Sequence, residues 1–496
     1  MNLFTNEEIM LTEMQAGQAR DWTMGNVRTM PFCVLLCAAL YANFLVVAGH
    51  DRQRILEIAV LLVGAVMVLV RRRLKLRPLF EGPAGICLAT FFALGITSGT
   101  MAFSPRFALF EVAALFLLYL LATQVGDEVV RRGPAALRLI LQTTAATVVL
   151  YSVYFLVAYV SAFCFGNPLT PDDFAWGFSN FRFFNHVQTS ILPLFVLLCC
   201  LTARTDRLRP LWLGVTIYWW TALIATTGRG TLVGIAMGCT IIAIVLRRTA
   251  IPYLRMAALT AALGLVTYFI LLVAVPAVLG AQGMRAISFV VERTANDPAS
   301  GRMFLWRRAA DLITQHPLLG VGPMHFAHYA GDLHIGAHPH DWLMQFGSEW
   351  GLPALACLLA TIVLALRALL HAGRKIAEGD IANQTIFAAL LMGAVAILVD
   401  GLVSGLFVMP QSQLAIALYL GCAIGWYKTV LPAPCPAAPN IVGGAGGALL
   451  VVVAMAGVAG VWQDVVARYE QQPLTAAQEA ANQGQHWPRL WITGYF

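Results

Sequence analysis

Residues 231–246, TLVGIAMGCTIIAIVL, carry no charge and run straight into Arg247 and Arg248. Beyond that pair, residues 251–280, IPYLRMAALTAALGLVTYFILLVAVPAVLG, are charged only at Arg255. Two such runs joined by a basic pair read as two membrane crossings with a cytoplasmic turn between them. Working outward in both directions, the same pattern predicts spans at 30–49, 54–70, 80–97, 107–125, 138–163, 188–203, 211–227, 351–370, 385–407, 413–429 and 441–462. The expected fold is therefore an all-α polytopic membrane protein of about 12–13 transmembrane helices.

Composition agrees. Hydrophobic residues fill 59% of the 496 positions and charged residues 11%, and mean hydropathy is +0.74, whereas a soluble domain is roughly a quarter charged. The net charge of +7 does not point to nucleic acid, because the basic residues fall in short clusters between apolar runs. These are Arg71 to Arg77, Arg131 with Arg132, Arg204 to Arg209, Arg247 with Arg248, and Arg374 with Lys375. Threading the spans with the N-terminus inside puts all of them on the cytoplasmic side, as orientation signals require. Eight of the ten cysteines lie in apolar runs, and no disulfide framework or CxxC pair is visible. Residues 1–28 contain Glu7, Glu8, Glu13 and Asp21 and no apolar core, so no cleavable signal peptide is expected.

The resulting organisation is a cytoplasmic N-terminal segment at 1–29, a transmembrane bundle at 30–462 and an outward tail at 463–496, with outward loops at 164–187 and 281–350. The second loop is the longest break between spans, and a long polar insertion of this kind is more often functional than incidental. Within it Arg302, Trp306, Ala309, Ala310 and Ile313 recur at helical spacing, which predicts a short amphipathic helix along the outer leaflet, ended by the turn Gly320-Val321-Gly322-Pro323.

The same loop holds Ala337-His338-Pro339-His340-Asp341-Trp342 and continues through Gln345 and Glu349 into the tenth span. Neutral imidazole is the side chain best suited to take a proton from a sugar or serine hydroxyl near neutral pH. Asp341, Gln345 and Glu349 recur at intervals that would align them on one helix face. The bland alternative makes His338 and His340 solvated loop residues beside a helix cap. A metal pair is the weakest reading, since no third ligand follows at familiar spacing.

Arg182, Arg229 and Arg302 sit where a span or helix meets the outer face, the side the positive-inside tendency disfavours. Arg106, after Pro105, is a fourth candidate. Guanidinium forks onto phosphate oxygens, so arginines gathered at one depth suit a pyrophosphate; each alone could equally snorkel to headgroups or pair with a carboxylate. Gly228 and Gly230 flank Arg229, and their backbone freedom is expected to permit a tight reversal there. Asp400 lies inside the eleventh span, either supporting an arginine or histidine or forming an interhelical ion pair. Glu57 and Glu111 also fall in spans, nearer the helix ends.

At these residues the chain resembles the O-antigen ligase superfamily of lipopolysaccharide O-antigen ligases, O-antigen polymerases and bacterial protein O-oligosaccharyltransferases. Its signature of His, a small polar residue, nine residues and Gly-x-x-Gly is met by His340, Asp341 and Gly351-Leu352-Pro353-Ala354, with aspartate for the usual amide and Ala354 for the last glycine. Thr227-Gly228-Arg229-Gly230 and the run from Arg302 through Trp306 to Gly322 are similar to its other motifs. The resemblance implies an inner-membrane glycosyltransferase that needs no metal or other cofactor. It would move a glycan from undecaprenyl pyrophosphate to an acceptor hydroxyl at the periplasmic face. It also implies His340 as base or acceptor-positioning group, Arg229 and Arg302 as the pyrophosphate clamp, and Arg182 and Arg106 as support. Asp341 beside the imidazole would raise its pKa. The acceptor is lipid A-core, another glycan or a protein Ser or Thr; the span at 441–462, the outward tail and the His-Pro-His-Asp-Trp wording look more like the protein-glycosylating branch. A lipid-linked glycan transporter is the rival from another class, although repeated halves and interrupted helices are not apparent.

Overall fold

The computed structural model describes residues 49–70, 80–284, 286, 301–333, 335–431, 445–464 and 489–491. The predicted span at 30–49, apart from Gly49, the basic cluster at 71–77, residues 287–300 of the long loop and most of the two terminal segments lie outside the described residues. Among the described residues there are helices and no strands. In chain order the long helices are α1 His50–Val70, α2 Gly82–Met101, α3 Pro105–Arg132, α4 Pro134–Phe165, α5 Phe181–Leu201, α6 Arg209–Thr226 and α7 Arg229–Leu246. There follow α8 Ile251–Tyr268, extended by a π-helical turn to Val278, then α9 Arg302–Gln315, α10 Trp342–Trp350, α11 Leu352–Lys375, α12 Ile381–Gly401, α13 Pro410–Val430 and α14 Ala445–Ala459. Nine helical stretches among the described residues are long and apolar enough to cross a membrane, one of them being the run 229–278 that holds α7 and α8.

Pro at the first turn starts α2, α3, α4, α6, α8, α11 and α13, where its missing N–H costs nothing and its fixed φ suits the helix. Between α7 and α8 the chain reverses at Arg247, whose φ is 50°. The helix ends carrying Arg131, Arg132, Arg374 and Lys375 lie at the same end of the bundle as the turns holding Arg204 to Arg209 and Arg247 to Arg248. The N-termini of α5 and α7 and the C-termini of α6 and α12 lie at the other end.

α12 is the hub. It packs along α7 and α5, while α13 packs along α3, α11 along α2 and α8 along α6. Small residues let backbones touch: a Cβ at Gly234 or Gly238 of α7 would lie 2.7 Å or 2.6 Å from carbonyl oxygens of α12. Two predicted spans have shifted ends, and burial accounts for the first. α5 begins at Phe181, not 188, and α12 ends at Gly401, not 407. The polar residues Asn185, His186, Gln188 and Thr189 are buried against neighbouring helices, so the helix extends past the point where hydropathy fades.

Helix α9 forms and is amphipathic, but its buried face is Leu305, Ala309 and Leu312; of the predicted stripe only Ala309 is buried and Ala310 is exposed. It stops at Gln315, and the glycine turn lies beyond it. That turn is stitched to the end of α10: Val321 N–H donates to the Ser348 carbonyl and Gly322 N–H to that of Glu349, each at 2.9 Å. Gly320 has a φ of 66°, and a Cβ there would lie 2.4 Å from the backbone of Glu349, so the contact requires glycine on both counts. Ser98 of α2 donates to the Leu319 carbonyl, and Ser104 N–H donates to His325 Nε2 at 2.8 Å. The outer loop is thereby fastened to α2, α3 and α10.

Candidate active site

At the end of the bundle away from the basic clusters, an open cleft of about 590 Å³ lies between α5, α7, α9 and the turn after α12. Arg182, Arg229 and Arg302 all line it, with Asn185, His186, Thr231 and Asp400. Each arginine stands in the first turn of its helix: Arg182 is the second residue of α5, and Arg229 and Arg302 open α7 and α9. Three helix N-termini therefore face one space, adding backbone N–H groups and positive dipole ends to the guanidinium charges. Asn180 caps α5 by accepting from Arg182 N–H at 2.9 Å.

The reversal before Arg229 is tight for a different reason from the one its sequence predicts. Thr227, not a glycine, takes the left-handed conformation at φ 55°, and Gly228 sits at φ −67°. The glycines serve close approach. A Cβ at Gly228 would be 2.7 Å from Asn185 Cγ, and one at Gly230 would be 2.3 Å from Asp400 Oδ1.

Asp400 does belong to the cleft. Its Oδ2 accepts from Thr189 at 2.5 Å, and the Thr231 hydroxyl, with one proton to give, lies within reach of both Asp400 Oδ2 at 3.2 Å and the Asn185 carbonyl at 3.0 Å. These bonds tie α5, α7 and α12 together under the arginines. Asn185 and His186 are among the cleft residues to which the sequence assigned no role. Asn185 Nδ2 donates to Thr226 at 2.6 Å and Gln188 at 2.8 Å, while its Oδ1 and the Nδ1 of His186 are buried with no partner among the described residues. The available signal was their spacing from Arg182, three and four residues on, which puts all three on one helix face.

His340 is not one of the lining residues but lies within electrostatic reach of three of them, Arg302, His186 and Arg182. Its φ is 57°, its ring packs on that of His338 with centroids 4.0 Å apart, and the charges of Arg302 and Arg182 reach it. Helix α9 serves both sides at once, because Arg302 lines the cleft and Trp306, one turn on, donates to the Pro339 carbonyl at 3.1 Å. Burial, then Arg302, His186 and Arg182, push the His340 imidazole down to about 3, so it is neutral at physiological pH. This corrects the expectation that Asp341 raises it. The Asp341 carboxylate instead caps α10, accepting from Leu343 and Met344 N–H at 2.8 Å and 3.1 Å.

Three other predicted residues lie away from the cleft. Arg106 pairs with Asp464 at 3.0 Å. Gln345 and Glu349 share a buried face of α10, where Gln345 donates to Glu349 at 3.4 Å, and both turn toward a second ionic cluster. In it Arg489, 1% exposed, donates to both oxygens of Glu111 at 2.9 Å and to Glu349 at 2.7 Å. Arg54 pairs with Glu57 at 2.5 Å and donates to the Arg489 carbonyl at 3.0 Å. Burial pushes Glu349 up to about 7, with Arg489 pulling the other way. Among the described residues no group of three or more His, Cys, Asp or Glu side chains is placed to hold a metal ion.

On the other side of α12 and its following turn runs a larger apolar slot of about 2700 Å³, lined by Phe91, Leu115, Trp342, Leu398 and Phe407 and reaching Lys428 and Glu81 at the opposite end of the bundle. Fold and cleft together define a polytopic helical membrane protein with an arginine-lined cleft near a neutral histidine and a separate apolar slot. Residues 214–359, from α6 through the histidine loop into α11, match the family model described as O-Antigen ligase, and this match supports the O-antigen ligase superfamily and a ligase- or polymerase-type member. The matched stretch holds Arg229, Arg302 and His340 and leaves Arg182 and Asp400 outside it. No curated protein matches the chain.

Proposed function

We propose that this protein is an inner-membrane glycosyltransferase that moves a glycan from undecaprenyl pyrophosphate to an acceptor hydroxyl at the periplasmic face. The observation that carries the reading is the convergence of Arg182, Arg229 and Arg302, each at a helix N-terminus, on one cleft, with His340 within electrostatic reach of Arg302 and Arg182. The acceptor oxygen attacks the anomeric carbon, its proton passes to the neutral His340 ring, and the bond from that carbon to the pyrophosphate oxygen breaks with the electron pair leaving on the phosphate. Charge grows on the leaving pyrophosphate, where guanidinium forks and helix N-termini stabilise it with little reorganisation. The apolar slot suits the polyprenyl chain, and the basic clusters at the far end of the bundle support a cleft that opens outward. Ligation to lipid A-core, polymerisation and transfer to protein Ser or Thr share this chemistry and differ in the acceptor.

The test is transfer by the purified chain in proteoliposomes from a defined undecaprenyl-pyrophosphate-linked glycan, offered lipid A-core and a pilin-like protein side by side. Labelling of one acceptor, abolished by His340→Ala, is the expected result. Unchanged transfer in His340→Ala would remove the catalytic role, and lost lipid-linked glycan flipping in its place would favour a transporter.

A further inference from the structure

The loop holds two histidines, and their geometry gives them different tasks. We propose that His338 is a positioning residue, whose Nδ1 holds the backbone of His340 in the left-handed conformation that sets the His340 ring beside the arginine cleft. The inference rests on the role of His340 proposed above. Nδ1 of His338 accepts the His340 backbone N–H at 3.3 Å, and the two rings pack at 4.0 Å. His340 has a φ of 57°, a left-handed conformation disfavoured for a non-glycine residue, so it persists only where its surroundings over-determine it. Here the bond from His338 fixes one side of His340, and Trp306 fixes the intervening Pro339 through its carbonyl.

His338 is itself built in. It is 2% exposed, and its seat is Gly405, where a Cβ would lie 2.5 Å from Cε1 and 2.8 Å from Nε2. Gly405 belongs to the turn that follows Asp400 and Ser404, both of which line the cleft, so the seat of the histidine and the floor of the cleft are one piece of chain. Accepting at Nδ1 requires that nitrogen to be unprotonated, which leaves the proton of the neutral ring on Nε2. Burial, with His340 and Arg489 adding to it, holds the imidazole well below its ordinary pKa, so the acceptor persists at physiological pH.

Two isosteres separate positioning from bulk. Asparagine places Oδ1 where Nδ1 lies and can accept the His340 N–H, whereas glutamine carries its oxygen and nitrogen further out. In the transfer assay above, with the acceptor it labels, His338→Asn is expected to keep kcat within about threefold. His338→Gln should lower kcat by about 10²-fold, the cost of a reacting group misplaced by about 1 Å, with KM for the lipid-linked glycan unchanged. Gly405→Ala, which displaces the ring without removing it, should lower kcat in the same way. Equal activity of the Asn and Gln variants, or a wild-type kcat in Gly405→Ala, would overturn the inference. Full activity of His340→Ala would instead overturn the function on which it rests.

Discussion

Two places in this bundle gather arginine, and they differ in burial: Arg54 and Arg489 are buried, whereas Arg182, Arg229 and Arg302 are half-buried along an open cleft. Around Arg54 and Arg489, two guanidiniums meet the three carboxylates of Glu57, Glu111 and Glu349, and the charge closes on itself. In the cleft, Arg182, Arg229 and Arg302 stand with Asp400 as the one carboxylate among the lining residues, and Thr189 and Thr231 already engage its Oδ2. Each place acts on a titratable neighbour: burial and Glu111 push Glu349 up against the pull of Arg489, while burial, Arg302, His186 and Arg182 push His340 down. A buried ionic cluster stabilises a fold, whereas arginines gathered on an open cleft at the rim of a membrane bundle are placed to meet an anion.

The two regions should therefore fail differently when an arginine is removed. Arg229→Ala or Arg302→Ala should reduce transfer by about 10²–10³-fold, the scale for losing one preorganised donor to a developing anion. Replacement by Lys should recover only part of it, because a point charge cannot reproduce the fork. The thermal midpoint in detergent should stay near wild type. Arg489→Ala leaves two buried carboxylates without their cation, a loss of about 3–5 kcal/mol, and should appear as a lower thermal midpoint and reduced yield. If Arg489→Ala were stable but inactive while Arg302→Ala unfolded, the assignment of the two regions would be reversed.

How far the sequence could anticipate this contrast depends on which physical signal each residue carries. The helices were legible because burial in lipid demands long apolar runs. Arg182, Arg229 and Arg302 were legible because cations at the end of the bundle opposite the basic clusters run against the orientation rule. Arg106 carries the same signal at the same depth and yet pairs with Asp464, since depth is written in hydropathy and lateral position is not. Arg489 had no signal of its own, lying in a tail without periodicity. The hint lay with its partners, because Glu111 and Glu349 are carboxylates in apolar surroundings that need a cation from elsewhere in the chain. Asp341 shows a local rule displacing a functional one: an aspartate just before a helix caps it, and its carboxylate is then committed to backbone N–H groups.

The pH dependence sharpens the comparison with a smaller effect. With its folded-state value pushed down to about 3, His340 is neutral and able to accept a proton over the whole range from pH 8 to 5.5. Transfer should then change by less than about twofold, where an imidazole of ordinary pKa near 6.5 would lose about tenfold. Stability moves in the opposite sense from a paired histidine, because the unfolded chain takes up a proton below pH 6.5 that the folded chain refuses. The contribution of His340 to stability is therefore lost as pH falls from 6.5 toward 3. An acid limb in kcat centred near pH 6.5 would show that the arginines do not govern this ring.

Salt gives the smallest separation and touches both regions at once. Charges in an open cleft are screened over a Debye length that shrinks from about 10 Å at 0.1 M to about 3 Å at 1 M, whereas buried pairs are screened much less. Raising salt across that range should increase KM for the lipid-linked pyrophosphate by about threefold, since its attraction to the arginines acts partly through solvent. The thermal midpoint set by Arg54, Arg489 and their carboxylates should hold. In Arg229→Ala the salt dependence of KM should become shallower, because part of the screened attraction is already gone. A KM indifferent to salt, together with a thermal midpoint that falls with it, would place the exposed charge in the cluster and the closed charge in the cleft.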